Sequence, residues 1–430
     1  MSTDPVERYR IAVHRIGWYD GDGGRRMTTI PSPDSSTEGI RQPISEPDPD
    51  TGYNDADWEV TDTLDIPNNW PSGLYIIEFI LTTGANSGQS RWYPLVVRPR
   101  NHNTADILLQ VMSSTWQAYN HWGGKSLYGF NSDGDGTITD AANIVSYNRP
   151  LRNPLLPHGE DGGPMAVYYW EAPLIRYLER EGYTVGLFAD QDTDTEPKAL
   201  QEYDVVMTGG HDEYWSRRQR DAFEDARDSG VNLVFTGANT AYWQVRFEDG
   251  GRTLVGYKET AAEEDPVDDT SEITDRFRDL YPPRPECELL GVMYNPPIVS
   301  ANADTFPPYT VTEEALNHPW MEDTGFEAGD ELPHLVGYEL DHIVPGCPVP
   351  GDLSVLFEYE PGTSEYLADT EYDGGAQAVT YTAPSGARVF SSGTMNFPWA
   401  LDDSTPPWGP EVRADSRLER FMRNALDDMT

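Results

Sequence analysis

Three consecutive stretches carry the fold expectation: DVVMTGGHDEYWS (Asp204–Ser216), RRQRDAFEDARDSG (Arg217–Gly230) and NLVFTGANTAYWQVR (Asn232–Arg246). Asp204–Thr208 is a short apolar run closed by two glycines, which reads as a buried strand. Arg217–Ser229 has helical spacing and stops at Gly230, a residue suited to the left-handed C-terminal cap. Asn232–Thr236 is a second apolar strand that again ends in glycine. Before them come strand Asp106–Met112 (DILLQVM), helix Tyr168–Glu181 with Pro173 in its first turn, and strand Thr184–Ala189. This alternation predicts an α/β domain over residues 104–430, with a doubly wound, mostly parallel sheet. The tail returns to β character, with Ala376–Thr382 and Ala387–Ser391 joined by a turn at Pro384–Gly386.

Residues 1–103 read differently. Tyr9–Ile16, Trp58–Ile66, Leu74–Leu81 and Arg91–Val97 are alternating runs separated by Gly, Pro, Asp and Asn clusters. They predict a small antiparallel, immunoglobulin-like β-sandwich domain, with Pro31–Tyr53 as a long loop.

Composition narrows the function classes. Acidic residues outnumber basic ones 73 to 30, a formal net charge of −43, and that repels nucleic acid and anionic membranes. The acids are scattered and aromatics make up 11% of the chain, so it is no disordered acidic tail. A surface adapted to molar salt explains the charge. Lysine is nearly purged: only Lys125, Lys198 and Lys258 occur. The two cysteines, Cys287 and Cys347, make no disulfide framework, and their spacing leaves pairing open. No apolar run approaches a membrane span, and Met1–Arg10 shows no signal-peptide pattern, so a cytoplasmic protein is the default expectation.

In an open α/β sheet, ligands bind beyond the carboxyl ends of the strands. Three polar, aromatic clusters follow predicted strands: SSTWQAYNHWGGKSLY (Ser113–Tyr128), GGHDEYWS (Gly209–Ser216) and GANTAYWQVR (Gly237–Arg246). They bring Tyr119, His211, Glu213, Tyr214 and Asn239 to one rim, and Tyr168 joins them at a helix start. One such cluster alone is more often loop packing; three at corresponding strand ends point to a site. A cysteine nucleophile on the strand-to-helix elbow is absent, as are a Gly-x-Ser-x-Gly elbow, a phosphate-cradling loop and zinc-type histidine spacing. Carboxylate and phenolate oxygens remain, with His, Asn and Lys nearby. Such donors suit a hard cation, ferric iron above all.

At these residues the sequence resembles proteins like the large (beta) subunit of N,N-dimethylformamidase. HRIGWYDGDGGRR (His14–Arg26) and WPSGLY (Trp70–Tyr75) are similar to its leading β domain. YNHWGGKSLY (Tyr119–Tyr128), GHDEYWS (Gly210–Ser216), GANTAYWQVR (Gly237–Arg246) and GYK (Gly256–Lys258) are similar to its catalytic domain. The resemblance implies a class I glutamine amidotransferase-like fold and a hydrolase acting on a small, linear amide, with one mononuclear, ferric iron held by two tyrosines and a glutamate. The implied carboxylate ligand is Glu213, and the first tyrosine is Tyr119. Tyr168 is first choice for the second, with Tyr169 and Tyr128 behind it. His211, Asn239 and Lys258 are the implied polar groups of the catalytic site. A small-molecule substrate is the expected partner, together with a homo-oligomer or a small accessory subunit.

NSDGDGTITD (Asn131–Asp140) has the alternating oxygens of a calcium loop at Asn131, Asp133 and Asp135, but Ala142 stands where the closing carboxylate belongs. His334 and His342 flank Glu339 as a lesser metal candidate, and Asp402 and Asp403 are better read as packing. Two rivals to the amidase stay open. One is a different hydrolase or lyase taking a sugar-like ligand, and the other is a non-catalytic binding protein on the same scaffold.

Overall fold

The computed structural model describes residues 1–102, 105–152, 170–294, 306–360, 375–404 and 414–430. The chain divides into two compact units. The first comprises Met1–Arg100, Trp116–Met165 and Phe247–Tyr257; the second comprises Asn101–Thr115, Ala166–Arg246 and Lys258–Thr430.

In the first unit, β1 (Arg8–Ile16), β2 (Gly24–Ile30), β4 (Gly73–Leu81) and β5 (Ser90–Val97) form an antiparallel sheet in the order β2-β1-β4-β5. The short β3 (Thr37–Glu38) also pairs with β1. Tyr9, Ile11, Val13 and Tyr75 alternate onto one face and make its core. No ladder forms in Trp58–Ile66, which was expected as a strand. Its polar groups go elsewhere: the Trp58 indole donates to Pro43 O at 2.7 Å, and Glu59 N donates to Gln42 Oε1 at 2.6 Å. The leading region is thus one sheet with an irregular strap, and the expected sandwich is corrected on that point. The unit also holds β7 (Ile144–Ser146) paired antiparallel with β13 (Thr253–Val255).

The second unit is built on a nine-stranded sheet in the order β16-β15-β18-β19-β20-β11-β9-β6-β8. One half is parallel: β8 (Val185–Ala189), β6 (Ile107–Val111), β9 (Val205–Gly210), β11 (Asn232–Gly237) and β20 (Arg388–Ser391). The other half is antiparallel: β19 (Ala376–Thr382), β18 (Ser354–Tyr359), β15 (Tyr309–Val311) and β16 (Glu331–Leu332). This overturns the doubly wound, mostly parallel, glutamine amidotransferase-like expectation. The sheet is mixed, the leading sheet is antiparallel throughout, and strands outnumber helices among the described residues.

The physical reason lies in the connections. Helical crossovers, which parallel neighbours need, occur where α2 (Ala172–Glu181), α3 (Asp190–Thr195) and α4 (Arg217–Asp228) separate the early strands. Among the described residues, no α-helix lies between β15 and β20. The tight turn between β19 and β20, closed by Ala383 N to Ala387 O at 2.8 Å, can only make an antiparallel pair.

Local chemistry explains the helices. Ser216 caps α4 by accepting from Gln219 N, the Gln219 side chain answers to Ser216 N, and Gly230 follows in the left-handed region at φ +99°. Pro173 occupies the first turn of α2 and Gly182 its left-handed cap. In α7 (Ser416–Met429), Leu418, Phe421, Met422, Ala425, Leu426 and Met429 bury one stripe. No helix among the described residues is long and apolar enough to cross a membrane. Cys287, in α6 (Cys287–Leu290), forms a disulfide with Cys347, with their Cα atoms 6.3 Å apart.

Candidate functional site

The ends of β9 and β11 carry the site of the second unit. Gly237 lies opposite Gly210 in the parallel register, so close that a Cβ on Gly237 would sit 2.3 Å from Gly210 O. Only glycine fits there. Beyond this point the two loops run together on backbone hydrogen bonds. Ala238 N donates to Gly210 O at 3.1 Å and Ala241 N to Asp212 O at 2.9 Å. Tyr242 N and Trp243 N both donate to Glu213 O at 3.0 Å. Asn239 and Ala241 take positive φ, +53° and +54°, the kind of backbone cost that persists where surrounding structure enforces it.

These contacts bring His211, Glu213 and Asn239 together, as the sequence predicts for adjacent strand ends. All three are about 2% exposed. His211 Nε2 is 3.2 Å from Glu213 Oε2 and 2.9 Å from Glu339 Oε2. Asn239 Nδ2 donates to Glu339 Oε2 at 2.8 Å, which fixes its amide orientation, and Asn239 Oδ1 has no hydrogen-bond partner among the described residues. Burial alone would lower the His211 pKa, but the Glu339 and Glu213 carboxylates outweigh it and raise it to about 10. The imidazole is therefore held as a cation between two carboxylates.

Supporting contacts come from further strands. Glu213 N donates to Thr115 Oγ1 at 3.2 Å, beyond the end of β6. The Trp243 indole donates to Glu213 Oε1 at 3.1 Å, from the start of β12 (Trp243–Glu248), which runs parallel to β10 (Tyr214–Ser216). Asp341, in β17 (Asp341–His342), accepts from Asn239 N at 2.8 Å. Burial pushes the Asp341 carboxyl up to about 7. Lys258 reaches the same group with its ammonium 5.2 Å from the centre of the Trp243 ring. Burial lowers its pKa to about 8, against the opposing pull of Glu259 and Glu213. Asp212, between His211 and Glu213, turns the other way and accepts from Gln110 Nε2 at 2.8 Å.

Tyr214 is fully buried in β10. Tyr119 belongs to the first unit, where its hydroxyl donates to Tyr128 Oη at 3.3 Å and its ring lies 4.6 Å from that of Tyr128. Tyr168 and Tyr169 lie outside the described residues. In the Asn131–Asp140 loop, Asn131 Oδ1 accepts from the Ser126 hydroxyl. Asp140 Oδ2 accepts from Asp135 N, Gly136 N and Thr137 N, while Lys125 Nζ donates to the carbonyls of Asp133 and Asp140. Asp402 pairs with Arg176 at 2.8 Å, a packing role. Sequence reading missed Trp243 and the true place of Glu339. Glu339 had appeared only as a neighbour of His334 and His342, and no local pattern links it to His211.

The donor chemistry fits a hard cation. Glu213 offers a fixed, buried carboxylate, and Asn239 Oδ1 is an amide oxygen with no hydrogen-bond partner among the described residues. Among the described residues no three His, Cys, Asp or Glu side chains are arranged to hold a metal. In this cluster the His211 Nε2 stands between the two carboxylates. A donor set completed by phenolates is of another kind.

A family model described as N,N-dimethylformamidase beta subunit-like, C-terminal, matches residues 10–410. The N,N-dimethylformamidase beta subunit of an Alcaligenes species is 32% identical over 127 residues, which cover 28% of this chain and 16% of that protein. Its counterpart from Paracoccus aminophilus is 31% identical over 127 residues, again 28% of this chain and 16% of the relative. The matched part is thus a small fraction of these curated relatives' length.

Proposed function

Because this chain belongs to the family of N,N-dimethylformamidase beta subunit-like proteins, matching its C-terminal model, we propose that the second unit hydrolyses a small amide C–N bond. The observation that carries the reading is the buried cluster of His211 between Glu213 and Glu339, with Asn239 against Glu339.

Amide hydrolysis needs a proton for the departing amine, a fixed substrate orientation and exclusion of bulk water. His211, held as a cation, can give the Nε2 proton to the leaving nitrogen, and Glu213 and Glu339 stabilise the charge it carries beforehand. Lys258, with its pKa lowered to about 8, exchanges protons near neutral pH. Asn239 presents Oδ1 as an acceptor that orients an N–H or a water. Glu213 would hold an iron, in the role that the resemblance gives to a carboxylate ligand. When bound, such a metal polarises a carbonyl and lowers the pKa of a water.

The test is amine release from a panel of small formamides and acetamides by iron-supplemented protein in high salt. Turnover on at least one amide is expected. No release from any amide would leave a non-catalytic binding protein as the better account.

The relatives are named as beta subunits, so a partner subunit is part of the proposal. The net charge of −43 supports adaptation to molar salt, with carboxylate repulsion screened there. The midpoint of thermal unfolding is therefore expected to be higher in molar salt than in dilute buffer, and equal midpoints would count against this. Disulfides persist best in oxidising compartments, so thiol trapping of Cys287 and Cys347 in cells tests the cytoplasmic setting.

A further inference from the structure

Trp243 meets the site in three ways. Its backbone N–H donates to Glu213 O at 3.0 Å, and its indole N–H donates to Glu213 Oε1 at 3.1 Å. The face of the same ring lies under the Lys258 ammonium, 5.2 Å from the ring centre. The ring is 3% exposed and set edge-on against Tyr242, with centroids 5.0 Å apart.

We propose that Trp243 is a positioning residue that fixes the Glu213 carboxylate and the Lys258 ammonium relative to each other. The indole can do both because its two binding features are orthogonal. The N–H lies in the ring plane and takes the carboxylate, while the electron-rich face takes the cation. Register holds the ring in place: Trp243 pairs with Tyr214 across the parallel β10–β12 contact, one residue after Glu213. Lys258 is held from its own side by its backbone N–H, which donates to Thr274 O at 2.8 Å, and by a left-handed φ of +57°. Neither charged group is left to find its position by rotamer choice. Both are set by one rigid side chain. The inference rests on the hydrolase reading for its catalytic consequence, but not for its geometry.

Phenylalanine and leucine separate the two contacts. Trp243→Phe keeps an aromatic face and loses the N–H, whereas Trp243→Leu loses both. On an amide substrate, Trp243→Phe is expected to lower kcat by about tenfold or more with KM little changed, as when an orienting hydrogen bond to a reactive carboxylate is lost. Amine-reactive labelling, followed by peptide mass spectrometry with Lys125 and Lys198 as references, should leave Lys258 protected in Trp243→Phe and expose it in Trp243→Leu.

A stability cycle supplies a readout that needs no turnover. The Trp243→Phe/Glu213→Ala double variant should lose less in unfolding midpoint than the sum of the two single losses, because each change alone already removes the indole–carboxylate hydrogen bond. Additive losses in that cycle, or equal labelling of Lys258 in wild type and Trp243→Leu, would overturn the proposal. If the wild type hydrolyses no amide, the functional reading fails while the cycle and the labelling still judge Trp243.

Discussion

Glu213→Gln is expected to reduce amide hydrolysis by about a hundredfold or more while leaving the protein folded. Glutamine keeps the shape of the side chain, and its Oε1 can still accept the Trp243 indole N–H that Glu213 Oε1 accepts at 3.1 Å. The other end changes character. Where Glu213 Oε2 faced the His211 imidazolium at 3.2 Å, an amide nitrogen would present donors to a donor. His211 keeps Glu339 at 2.9 Å, so the cation loses one of two neutralising partners rather than both. The stability cost should be about 1–3 kcal/mol, the usual cost of leaving a buried hydrogen-bonding group mismatched. The catalytic cost is larger because charge in a buried site is weakly screened, and two powers of ten correspond to about 2.7 kcal/mol of barrier. Steady-state kinetics and a thermal melt on the same preparation check both halves. Activity within about threefold of wild type, in a variant that melts normally, would remove Glu213 from the mechanism.

The disulfide should have the largest effect on stability. Cys287 and Cys347 are 60 residues apart in sequence, and tying such a loop in the unfolded chain is worth about 4 kcal/mol in the chain-entropy model. The native side of the balance is well anchored. Around α6, Leu289 O accepts from Tyr381 Oη at 2.6 Å, Leu290 O from Ser391 Oγ at 2.7 Å, and Glu288 O from Arg227 at 2.9 Å. Cys347 lies in the turn that follows β17, the strand supplying Asp341 to Asn239. Cys287→Ser is expected to lower the thermal midpoint by several degrees, and reductant should do the same to wild type. An unchanged midpoint under reductant, with both thiols shown to be free, would mean the cross-link adds nothing.

Much of the framework is legible locally. The apolar runs behind β6, β8, β9 and β11 end where glycines or polar clusters begin, and the structure places those strands within a residue or two of the reading. The same holds for β1, β4 and β5. Trp58–Ile66 shows why alternation alone is insufficient. Its pattern is strand-like, but no neighbour pairs with it, and Val60 is left 85% exposed. The antiparallel half of the large sheet was illegible for a related reason. Its strands are mostly short, and what orders them is pairing to distant strands rather than any periodicity of their own. In the site, His211, Glu213 and Asn239 could be grouped because parallel strands end on the same edge. Glu339 could not, since it arrives from a segment without strand or helix signal.

The residues alone settled what acts over short distances. Side-chain period, glycine's access to positive φ, caps such as Ser216 and the sign of the surface charge all follow from sterics and composition within about a dozen residues. Folding in three dimensions settled which buried charges meet. The choice of Glu339 as the second carboxylate on His211, of Trp243 as the shared support of Glu213 and Lys258, and of Cys347 as the partner of Cys287 depends on contacts far apart in the chain. Those contacts form only when desolvation is offset by pairing, and no local pattern carries that balance.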